Sequence, residues 1–586
     1  MCLNMHWPLL SGFFTFSSKI MNAVRARPNA LLRRVLRPLT LATAALFFVP
    51  ATVLPDAADG AGQAQLQGGD LNEVFAHLET RIRRVELPNG LRLILMRQDY
   101  APTVACYMKF KAGSADETDA SSGIAHMLEH MLFKGTPRVG TRDYAREKKY
   151  LEQEVSFAQK LDHWRRVEQS AVADGDEALR KTARTKIAWY EKQLRIIQSQ
   201  VRPLVIEEED SYLYSLHGQR GYNAYTTADL TNYQIELPAN RLEVWARMES
   251  DRMQNSVLRS FYTERSVVTE ERRMRVDNSP RRQLFEKFIT EIYGDHPYGR
   301  PVIGPMASIE FLNYEQAMRF YETYYAPNNS VIALVGDIDF DQAEQMVRRY
   351  FGKMQSRTIP RLPEPKIERR PVRLVMREDG PPTLSMAWFK PPLPDPDDLN
   401  LDLLSDVLAG GQETRLYRRL VTQEQLAVDV GAFSGYPGER YTNLFFVEVT
   451  PRPGVDEAGM KKIEAIVQAE IDAIVANGVR PEELERVRNK QRADFIYQLR
   501  ANGYLADLLS YYESVTGDYR NLFRYNARIE QVTSTDIQNS VAKYLKGDDR
   551  MTATLVPPAP DKSDSEKSDS ENSDSETSES DEEPQN

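Results

Sequence analysis

The sequence predicts an α+β fold of two homologous domains, each an antiparallel sheet packed with helices, which together enclose a chamber. Three observations predict this architecture. The chain has 586 residues, too many for one ordinary core. A proline-rich, charged stretch lies near its middle. A pattern of helix followed by strand occurs twice, once before each predicted domain end.

The repeated pattern pairs "IEFLNYEQAMRFYETYY", which starts at Ile309, with "IEQVTSTDIQNSVAKYL", which starts at Ile529, an offset of 220 residues. Apolar residues follow helical spacing in both segments, and the β-rich runs "SVIALVG" and "MTATLV" come next. An internal duplication is the simplest explanation. With a linker at residues 353–371, the predicted domains are residues 78–352 and residues 372–557.

The first domain is predicted to begin with strands and continue with helices. "VELPNGLRLILM" contains a strong turn at Asn89-Gly90, and "TVACYMKF" follows as a strand in which Cys106 is a buried core residue. Helical spacing then runs through residues 144–205, interrupted by the turn "ADGD" at residues 173–176. We interpret this stretch as an inserted helical hairpin, either a stiff decoration or a surface that docks a partner.

Residues 1–64 are predicted to be an export segment, with translation starting at Met21. Several arginines precede the apolar run "LTLATAALFFVPATVL", and small residues follow it. The run is short for a bilayer span, which favours a cleaved signal over a membrane anchor. We therefore expect an exported, periplasmic protein that begins between Ala51 and Ala64 and has no stable membrane span in its mature chain.

The acidic C-terminal tail, residues 558–586, accounts for most of the net charge of −10. From Asp561 to Asn586 there are 11 acidic residues and 2 lysines, which leaves about −1 for the rest of the chain. A segment of this composition cannot bury a core and is predicted to be disordered, with a solvating role, a cation-attracting role or none. The nearly neutral remainder gives no reason to expect nucleic-acid binding.

The stretch "SGIAHMLEHMLFKGT" holds two of the seven histidines. On a helix, His126 and His130 lie one turn apart on one face, and Glu129 can point to the same place. Two imidazoles and a carboxylate base are what a hydrolytic zinc requires. A helix with two surface histidines is the alternative, but the apolar residues around the motif favour a metal, because unpaired histidines there would be costly.

A catalytic zinc needs a third protein ligand. The remaining histidines lie in polar or loop segments, so a carboxylate is the better candidate. In "YTERSVVTEERRM", Glu264 and Glu271 are two helical turns apart and share a face. From the residues alone, such a pair could equally do no more than solvate a basic helix.

With these motifs the sequence resembles the pitrilysin or insulinase-like zinc metallopeptidases, the inverzincins of family M16, of the two-domain type found in the mitochondrial processing peptidase. The resemblance covers residues 78–557. It rests on five motifs in order: "HMLEHMLFKGT", "YNAYTTADLTNY", "ERSVVTEE", "HPYGRPVIG" and "YYAPNNSVIALVGDID".

The resemblance implies one Zn²⁺ per chain and assigns roles to residues of the first domain. The implied metal ligands are His126, His130 and Glu271. The implied catalytic residues are Glu129, the general base, and Glu264, which orients the site. The motif "NAYT" is implied to be an edge strand that binds an extended peptide by backbone pairing; its residues are Asn223, Ala224, Tyr225 and Thr226. His296 is expected to fix a loop.

The sequence departs from the family pattern in two ways. The gap between the two ligand motifs is unusually long, and the helical hairpin accounts for the excess. In relatives whose single chain is self-sufficient, an Arg and a Tyr of the second domain reach the substrate, whereas Val421 and Val428 stand at those positions here. This implies a heterodimer in which a homologous partner without zinc supplies both; in the alternative, nearby residues substitute, namely Arg418, Arg419 or Tyr436.

The predicted function is therefore that of an exported zinc-dependent endopeptidase, which hydrolyses peptides or unfolded polypeptides and forms the catalytic subunit of a heterodimer. The second domain, which has neither histidine nor cysteine, cannot repeat the metal site and is predicted to be inactive. One alternative is a non-catalytic core or scaffold subunit of a larger assembly. Another is a zinc hydrolase that acts on a substrate other than a peptide.

Overall fold

The computed structural model describes residues 71–360 and 365–558. From Ala76 onward the chain forms one compact unit. The predicted export segment and the acidic tail beyond residue 558 lie outside the described residues. Among the helices in the described part, none is long and apolar enough to cross a membrane.

The first half contains six strands and eleven helices. Its strands are β1 (Ile82–Glu86), β2 (Arg92–Arg97), β3 (Thr103–Phe110), β4 (Arg220–Thr226), β5 (Thr231–Pro238) and β6 (Ser330–Gly336). Its helices are α1 (Leu71–Thr80), α2 (Ile124–Leu132), α3 (Tyr144–Asp174), α4 (Glu177–Val201), α5 (Glu209–Leu216), α6 (Leu242–Asn255), α7 (Phe261–Arg272), α8 (Pro280–Tyr293), α9 (Met306–Ile309), α10 (Tyr314–Tyr324) and α11 (Phe340–Phe351).

The second half contains five strands and six helices among the described residues. Its strands are β7 (Arg373–Arg377), β8 (Thr383–Lys390), β9 (Ala427–Tyr436), β10 (Asn443–Pro451) and β11 (Met551–Val556). Its helices are α12 (Pro396–Ala409), α13 (Glu457–Asn477), α14 (Pro481–Gln498), α15 (Asn502–Thr516), α16 (Asn521–Ile529) and α17 (Ser534–Tyr544).

The two sheets have matching topologies. The first has the order β1-β2-β6-β3-β5-β4 and the second the order β7-β11-β8-β10-β9, so the orders correspond strand by strand once β1 is set aside. The helices α10 and α17 correspond as well, because Tyr314–Tyr324 and Ser534–Tyr544 are related by the predicted offset of 220 residues. Each begins with a capping box, formed by Asn313 and by Thr533. The predicted α+β architecture of two similar halves is confirmed.

One detail differs from the prediction: each sheet is mixed instead of purely antiparallel. Strand β6 pairs in parallel with β2 and antiparallel with β3, and β11 pairs in parallel with β7 and antiparallel with β8. The reason is topological. In each half, the last strand enters the sheet between two strands that run in opposite directions, so it must be parallel to one of them.

The halves exchange one helix each. Helix α8 of the first half packs on the second sheet, where Phe288 joins the same core cluster as Phe446 and Leu555. Helix α15 of the second half packs on β3 and β6 of the first sheet. There the buried Lys109 donates to Asp507 Oδ1 at 2.6 Å. Because each half covers the sheet of the other, the two halves share their packing.

The predicted helical hairpin is formed by α3 and α4. Three cross-pairs show that the helices are antiparallel, because the residue numbers rise along one helix as they fall along the other. These pairs are Arg165 with Glu191, Glu168 with Arg184, and Glu154 with Gln198. A β-bridge between Thr141 and Val205 closes the base of the hairpin.

Candidate metal centre

Helix α2 carries the histidine motif and is fixed at its N-terminus. Its apolar residues face the first core, where Ile124, Met127 and Leu128 are buried. Ahead of the helix, the buried carboxylate of Glu117 accepts hydrogen bonds from the backbone N–H groups of Gly123 and Ala125, both at 2.8 Å. These bonds satisfy two helix-end donors and hold the motif in place.

The loop of the "HPYGRPVIG" motif also supports this end of α2. Gly123 has a positive φ of 95°, and a Cβ there would lie 2.7 Å from the carbonyl oxygen of Ile303. Only glycine permits that approach. Arg272, at the end of α7, donates to the carbonyl of Gly304 at 2.6 Å, so one loop contacts both helices of the site. His296 accepts from the backbone N–H of Tyr298 at 3.1 Å and fixes the start of the loop.

Helix α7 presents the two glutamates. Its opposite side is anchored by Val268, which is fully buried, and by Arg265, which forms a buried two-point ion pair with Asp162 of α3. Glu264 and Glu271 are two turns apart and both face α2. The sequence prediction that these two residues share a face of one helix is correct in the structure.

The side chains of His126, His130 and Glu271 converge. One ligand atom from each lies within 4.8 Å of the others. Nε2 of His126 is 3.8 Å from one carboxylate oxygen of Glu271, and Nε2 of His130 is 3.4 Å from the other oxygen. Among the described residues, this is the group of potential ligands that could hold a metal ion.

The three side chains fit a zinc ion. Zinc–ligand bonds of about 2.0 to 2.1 Å at a tetrahedral angle place two ligand atoms about 3.3 Å apart, close to the observed separations. Nδ1 of His126 and one oxygen of Glu271 are buried without a hydrogen-bond partner in the described part of the chain. Two imidazoles and one carboxylate are also a donor set that catalytic zinc uses.

The two histidines are electrostatically different without a metal. Burial, together with the nearby charge of His130, lowers the pKa of His126 to about 3 and keeps it neutral, the form that binds metals. Burial also disfavours charge on His130, but hydrogen bonds with Glu264 and Glu271 outweigh it and raise its pKa to about 10. A metal must therefore displace a proton from His130.

Both glutamates of α7 are ionised. Burial opposes their charge, yet the hydrogen bonds from His130 prevail and lower the pKa of Glu264 and of Glu271 to about 2. Glu264 accepts from Nδ1 of His130 at 3.0 Å, which leaves Nε2 directed at Glu271. Each glutamate has a cation besides: Lys134 lies 2.5 Å from Glu264, and Arg275 lies 2.5 Å from Glu271.

Glu129 is held beside the ligands by the edge strand. The hydroxyl of Thr226, the last residue of β4, donates to Glu129 Oε2 at 2.5 Å. Burial raises the pKa of the Glu129 carboxyl, and the positive charge of His130 only partly offsets this. A carboxylate with a raised pKa is better able to accept and return a proton near neutral pH.

The structure places the four "NAYT" residues at the end of the first sheet, as the sequence predicts. Strand β4 pairs with β5 on one side and is the terminal strand of the sheet. Successive side chains alternate between faces: Ala224 and Thr226 share the face of α2, whereas the hydroxyl of Tyr225 donates to Asp507 of α15 at 2.8 Å. Asn223 pairs with Gln234.

Sequence reasoning missed the supporting residues. Lys134 and Arg275 each lie four residues after a candidate ligand on the same helical turn sequence, so helical spacing could have indicated them. Glu117 had no such signal, because its partners are backbone groups six and eight residues away. The contact of Thr226 with Glu129 spans 97 positions and leaves no local pattern.

The second-half residues named from the sequence lie in and around β9. Val428 is half-exposed on this strand, and Val421 lies in a short π-helical segment before it. Of the three substitutes, Arg419 forms an ion pair with Glu424 at 3.2 Å, and Tyr436 packs edge-on against Phe446. Neither contact brings these two side chains to the metal ligands.

Fold and site together define a class of protein. Two duplicated α+β halves share their packing, and one half brings two histidines and a glutamate to one point with a second glutamate beside them. Comparison with known sequences identifies the family. The model described as Insulinase (Peptidase family M16) matches residues 92–156 and 211–306, and the model described as Peptidase M16 inactive domain matches residues 312–491. The chain belongs to the insulinase-like M16 peptidase family.

Similar proteins are named zinc proteases. Zinc protease PqqE of Helicobacter pylori is 25% identical over 484 residues, which cover 81% of this chain and 92% of that protein. An uncharacterized zinc protease of Mycobacterium tuberculosis is 25% identical over 470 residues, which cover 79% and 90%. The names of these relatives imply zinc as the metal of the family members most similar to this chain.

Solved structures share the fold. A protease from Helicobacter pylori superposes with a TM-score of 0.65 at 22% identity and covers 81% of this chain and 99% of its own. The periplasmic protease PqqL from Escherichia coli gives 0.59 at 17% identity, covering 86% of this chain but 51% of its own. The first half of PqqL, solved separately, is covered to 98%.

Proposed function

We propose that the protein is a zinc-dependent endopeptidase that hydrolyses peptides or unfolded polypeptides. The observation that carries the proposal is the convergence of His126, His130 and Glu271 beside a second carboxylate, Glu129, which touches the terminal strand of the sheet. A metal site, a base and a backbone-pairing edge are the three parts that peptide hydrolysis requires.

In this proposal His126, His130 and Glu271 hold one zinc per chain. When bound, zinc supplies positive charge that acidifies the attacking water and stabilises the negative oxygen formed on the scissile carbonyl. Glu264 holds the ring of His130 through Nδ1, which fixes the tautomer that offers Nε2 to the metal. Glu264 is therefore a positioning residue in this chain.

Glu129 acts as the general base. Its carboxylate takes a proton from the attacking water and gives it to the departing amine, which completes the cleavage of the peptide bond. Thr226 orients the carboxylate by its hydrogen bond at 2.5 Å. The raised pKa of Glu129 suits a group that must carry the proton between the two steps.

The substrate binds as an extended strand along β4. The outer edge of a terminal strand offers backbone N–H and C=O groups, which pair with a peptide of any sequence. The four residues Asn223, Ala224, Tyr225 and Thr226 supply this edge, and Thr226 connects it directly to the base. A peptide paired there passes Glu129, which favours a peptide over other hydrolysable substrates.

Export to the periplasm is part of the proposal. It rests on the arginine-rich and apolar composition of residues 1–64. The fold relative PqqL is described as periplasmic, which agrees with it. N-terminal sequencing of protein from separated cell fractions tests it, with a start between Ala51 and Ala64 expected and an intact cytoplasmic chain contradicting it.

We also propose that the active enzyme pairs this chain with a homologous subunit that lacks the zinc motif. Val421 and Val428 cannot donate a hydrogen bond to a peptide carbonyl. The match to 98% of the first half of PqqL, but only 51% of the whole, supports a complete enzyme with two units of this size. The purified chain should bind zinc but cleave poorly until the partner is added. Full activity of the chain alone, unchanged in Val421→Ala and Val428→Ala variants, would refute the pairing.

Glu129→Gln tests the peptidase itself. The amide keeps the size of the side chain and leaves all three ligands, so zinc content should stay near one per chain while cleavage of a denatured polypeptide is lost, by about 10²- to 10⁴-fold. The assay uses the partner subunit if the chain alone is inactive. Equal cleavage by variant and wild type would end the assignment of the base. Stoichiometric zinc without cleavage in any combination would favour the scaffold alternative.

A further inference from the structure

Two strongly charged segments have no part in the proposed peptidase. One is helix α4, which lies within residues 157–210, a stretch that the family model leaves unmatched. The other is the acidic segment of residues 559–586, for which the matched region ends well before its start. Their charges are opposite, and both belong to one chain.

The structure uses the acidic residues of the hairpin internally. Glu147 of α3 pairs with the buried Arg259 at 2.7 Å, and Asp162 pairs with Arg265 at 2.8 Å, so α3 is the inner helix that anchors the hairpin to the first half. These carboxylates are buried and cannot compensate charges on the outside. Helix α4 is left as the outer helix.

Helix α4 therefore presents uncompensated positive charge. From Ala178 to Arg202 the chain has seven basic residues and one acidic residue, Glu191, which is paired with Arg165 at 3.0 Å. Four cations of α4 are exposed, and no ion pair holds any of them within the described part of the chain. With two exposed apolar residues among them they form what we call the basic face of α4, made of Lys181, Lys186, Trp189, Lys192, Arg195 and Ile196.

The acidic segment matches this face in charge and spacing. In "KSDSEKSDSENSDSE" the acidic residues follow one another at intervals of two or three, which is about 7 to 10 Å in an extended chain. Along the helix, Lys181, Lys186 and Lys192 are five and six residues apart, about 7 to 9 Å at the helical rise. Successive carboxylates can thus meet successive ammonium groups without stretching the chain.

The segment is also long enough to reach. Its 28 residues span at most about 95 Å when extended. A folded body of about 490 residues has a radius of gyration of about 23 Å, so a segment that starts after Pro558 can reach any point of the surface. Attachment to the same chain gives it an effective concentration near the millimolar range, which no separate partner matches at equal affinity.

We propose that residues 559–586 bind the basic face of α4 in their own chain. The contact is electrostatic: carboxylates of the segment pair with the four cations, and the exposed rings and methyl groups of Trp189 and Ile196 are partly covered by the bound segment. A membrane surface fits less well, because the apolar side of α4, with Ala183, Leu194 and Ile197, is already buried.

Crosslinking with a water-soluble carbodiimide tests the contact in the full-length chain. The reagent joins ammonium groups to carboxylates that touch, and mass spectrometry locates the bonds. We expect the acidic segment to link to Lys181, Lys186 and Lys192 about tenfold more often than to Lys461 and Lys543, two exposed lysines of the second half. Links spread evenly over all five lysines would overturn the proposal.

Two full-length variants and one mixture control for accidental contacts. Replacement of the 11 acidic residues by Asn and Gln should expose the face and change the fluorescence of Trp189, with a Trp189→Phe chain as blank. In wild type, raising the salt to 1 M should produce the same change, because the Debye length falls to about 3 Å. In a mixture of isotope-labelled and unlabelled chains, links should stay within one chain. Links mainly between chains, or no fluorescence change in either test, would refute the proposal.

Vesicles distinguish a membrane as the occupant. With vesicles rich in phosphatidylglycerol, the wild-type chain should not bind at physiological salt, because the face is covered. Binding by the wild type that equals binding by the chain with the neutral tail, and that is lost in a Lys181→Gln, Lys186→Gln, Lys192→Gln chain, would assign the face to a membrane and overturn the proposal.

Discussion

The same pair of helices occurs in both halves of the molecule with opposite outcomes. In the first half α2 packs against α7, and in the second half α12 packs against α14 in the corresponding place. Gln491 of α14 lies 220 residues after Glu271 of α7, the offset of the duplication. Its amide donates to Asp406 of α12, so these two residues meet where His130 and Glu271 meet in the first half.

The difference lies in how the polar groups are satisfied. Asp406 accepts hydrogen bonds from both Gln491 and Lys490, the latter at 3.0 Å, so its charge is neutralised within the protein. In the first half, Nδ1 of His126 and one oxygen of Glu271 have no hydrogen-bond partner among the described residues. Similar packing therefore gives a closed polar pair in one half and a set of ligands that still lacks its cation in the other.

The strongest test of this comparison is a pair of matched variants. Glu271→Gln replaces a charged ligand by a neutral amide, and we expect loss of bound zinc, with affinity reduced by more than the about 10- to 100-fold typical of outer-shell changes. Asp406→Asn at the corresponding place should leave zinc affinity unchanged. Zinc content and a competition titration with a fluorescent chelator measure both. Equal losses in the two variants would show that the halves do not differ as proposed.

A smaller effect is expected from the residue that holds the ligand. Glu264→Gln removes the carboxylate that accepts from Nδ1 of His130, so the imidazole loses its fixed orientation and part of its basicity. Zinc affinity should fall about 10- to 100-fold. The same chelator titration measures it, and an affinity equal to that of wild type would contradict the positioning role of Glu264.

The pH dependence of the metal-free protein sharpens the comparison further. The pKa of His130 is raised from 6.5 to about 10, so its charged pairing with Glu264 and Glu271 stabilises the fold fully below about pH 6.5. That contribution is lost as the pH rises to about 10. Thermal unfolding in the presence of a chelator should show the decrease, and His130→Asn should abolish it. No change between the two profiles would contradict the pairing.

The smallest difference is expected at the helix starts. Glu117 caps α2 from a buried position and Asp395 caps α12 from an exposed one. Glu117→Ala leaves two backbone donors without their acceptor and should destabilise the protein by about 1 to 3 kcal/mol. Asp395→Ala should cost about 1 kcal/mol, because water can replace the exposed cap. Urea unfolding measures both; a larger loss for Asp395→Ala would contradict the account.

Much of the site could be predicted from the sequence because its signals are local. The spacing of His126 and His130 and of Glu264 and Glu271 each belongs to one helix, and helical periodicity is enough to align them. The hairpin was predictable for the same reason, since its apolar repeat and the turn at Gly175 are contiguous. The offset of 220 residues likewise identifies α10 and α17 as equivalent helices, because both segments carry the same apolar spacing.

The contacts between the halves could not be predicted in this way. Which sheet a helix covers depends on packing between residues hundreds of positions apart, and the sequences of α8 and α15 show only that each has an apolar side. The parallel pairing of β6 and β11 follows from where each strand enters its sheet, which strand composition does not record. The bond from Thr226 to Glu129 depends in the same way on the final register of β4.

The central claim is that zinc is held by two imidazoles and a carboxylate of the first half alone. X-ray absorption at the zinc edge, on the Glu129→Gln chain loaded with one equivalent of zinc, tests it most directly. We predict two imidazole nitrogens and carboxylate oxygen at about 2.0 to 2.2 Å, with the imidazole signal reduced to one ring in a His126→Ala control. A sulfur ligand at about 2.3 Å, or a spectrum that His126→Ala does not change, would contradict the claim.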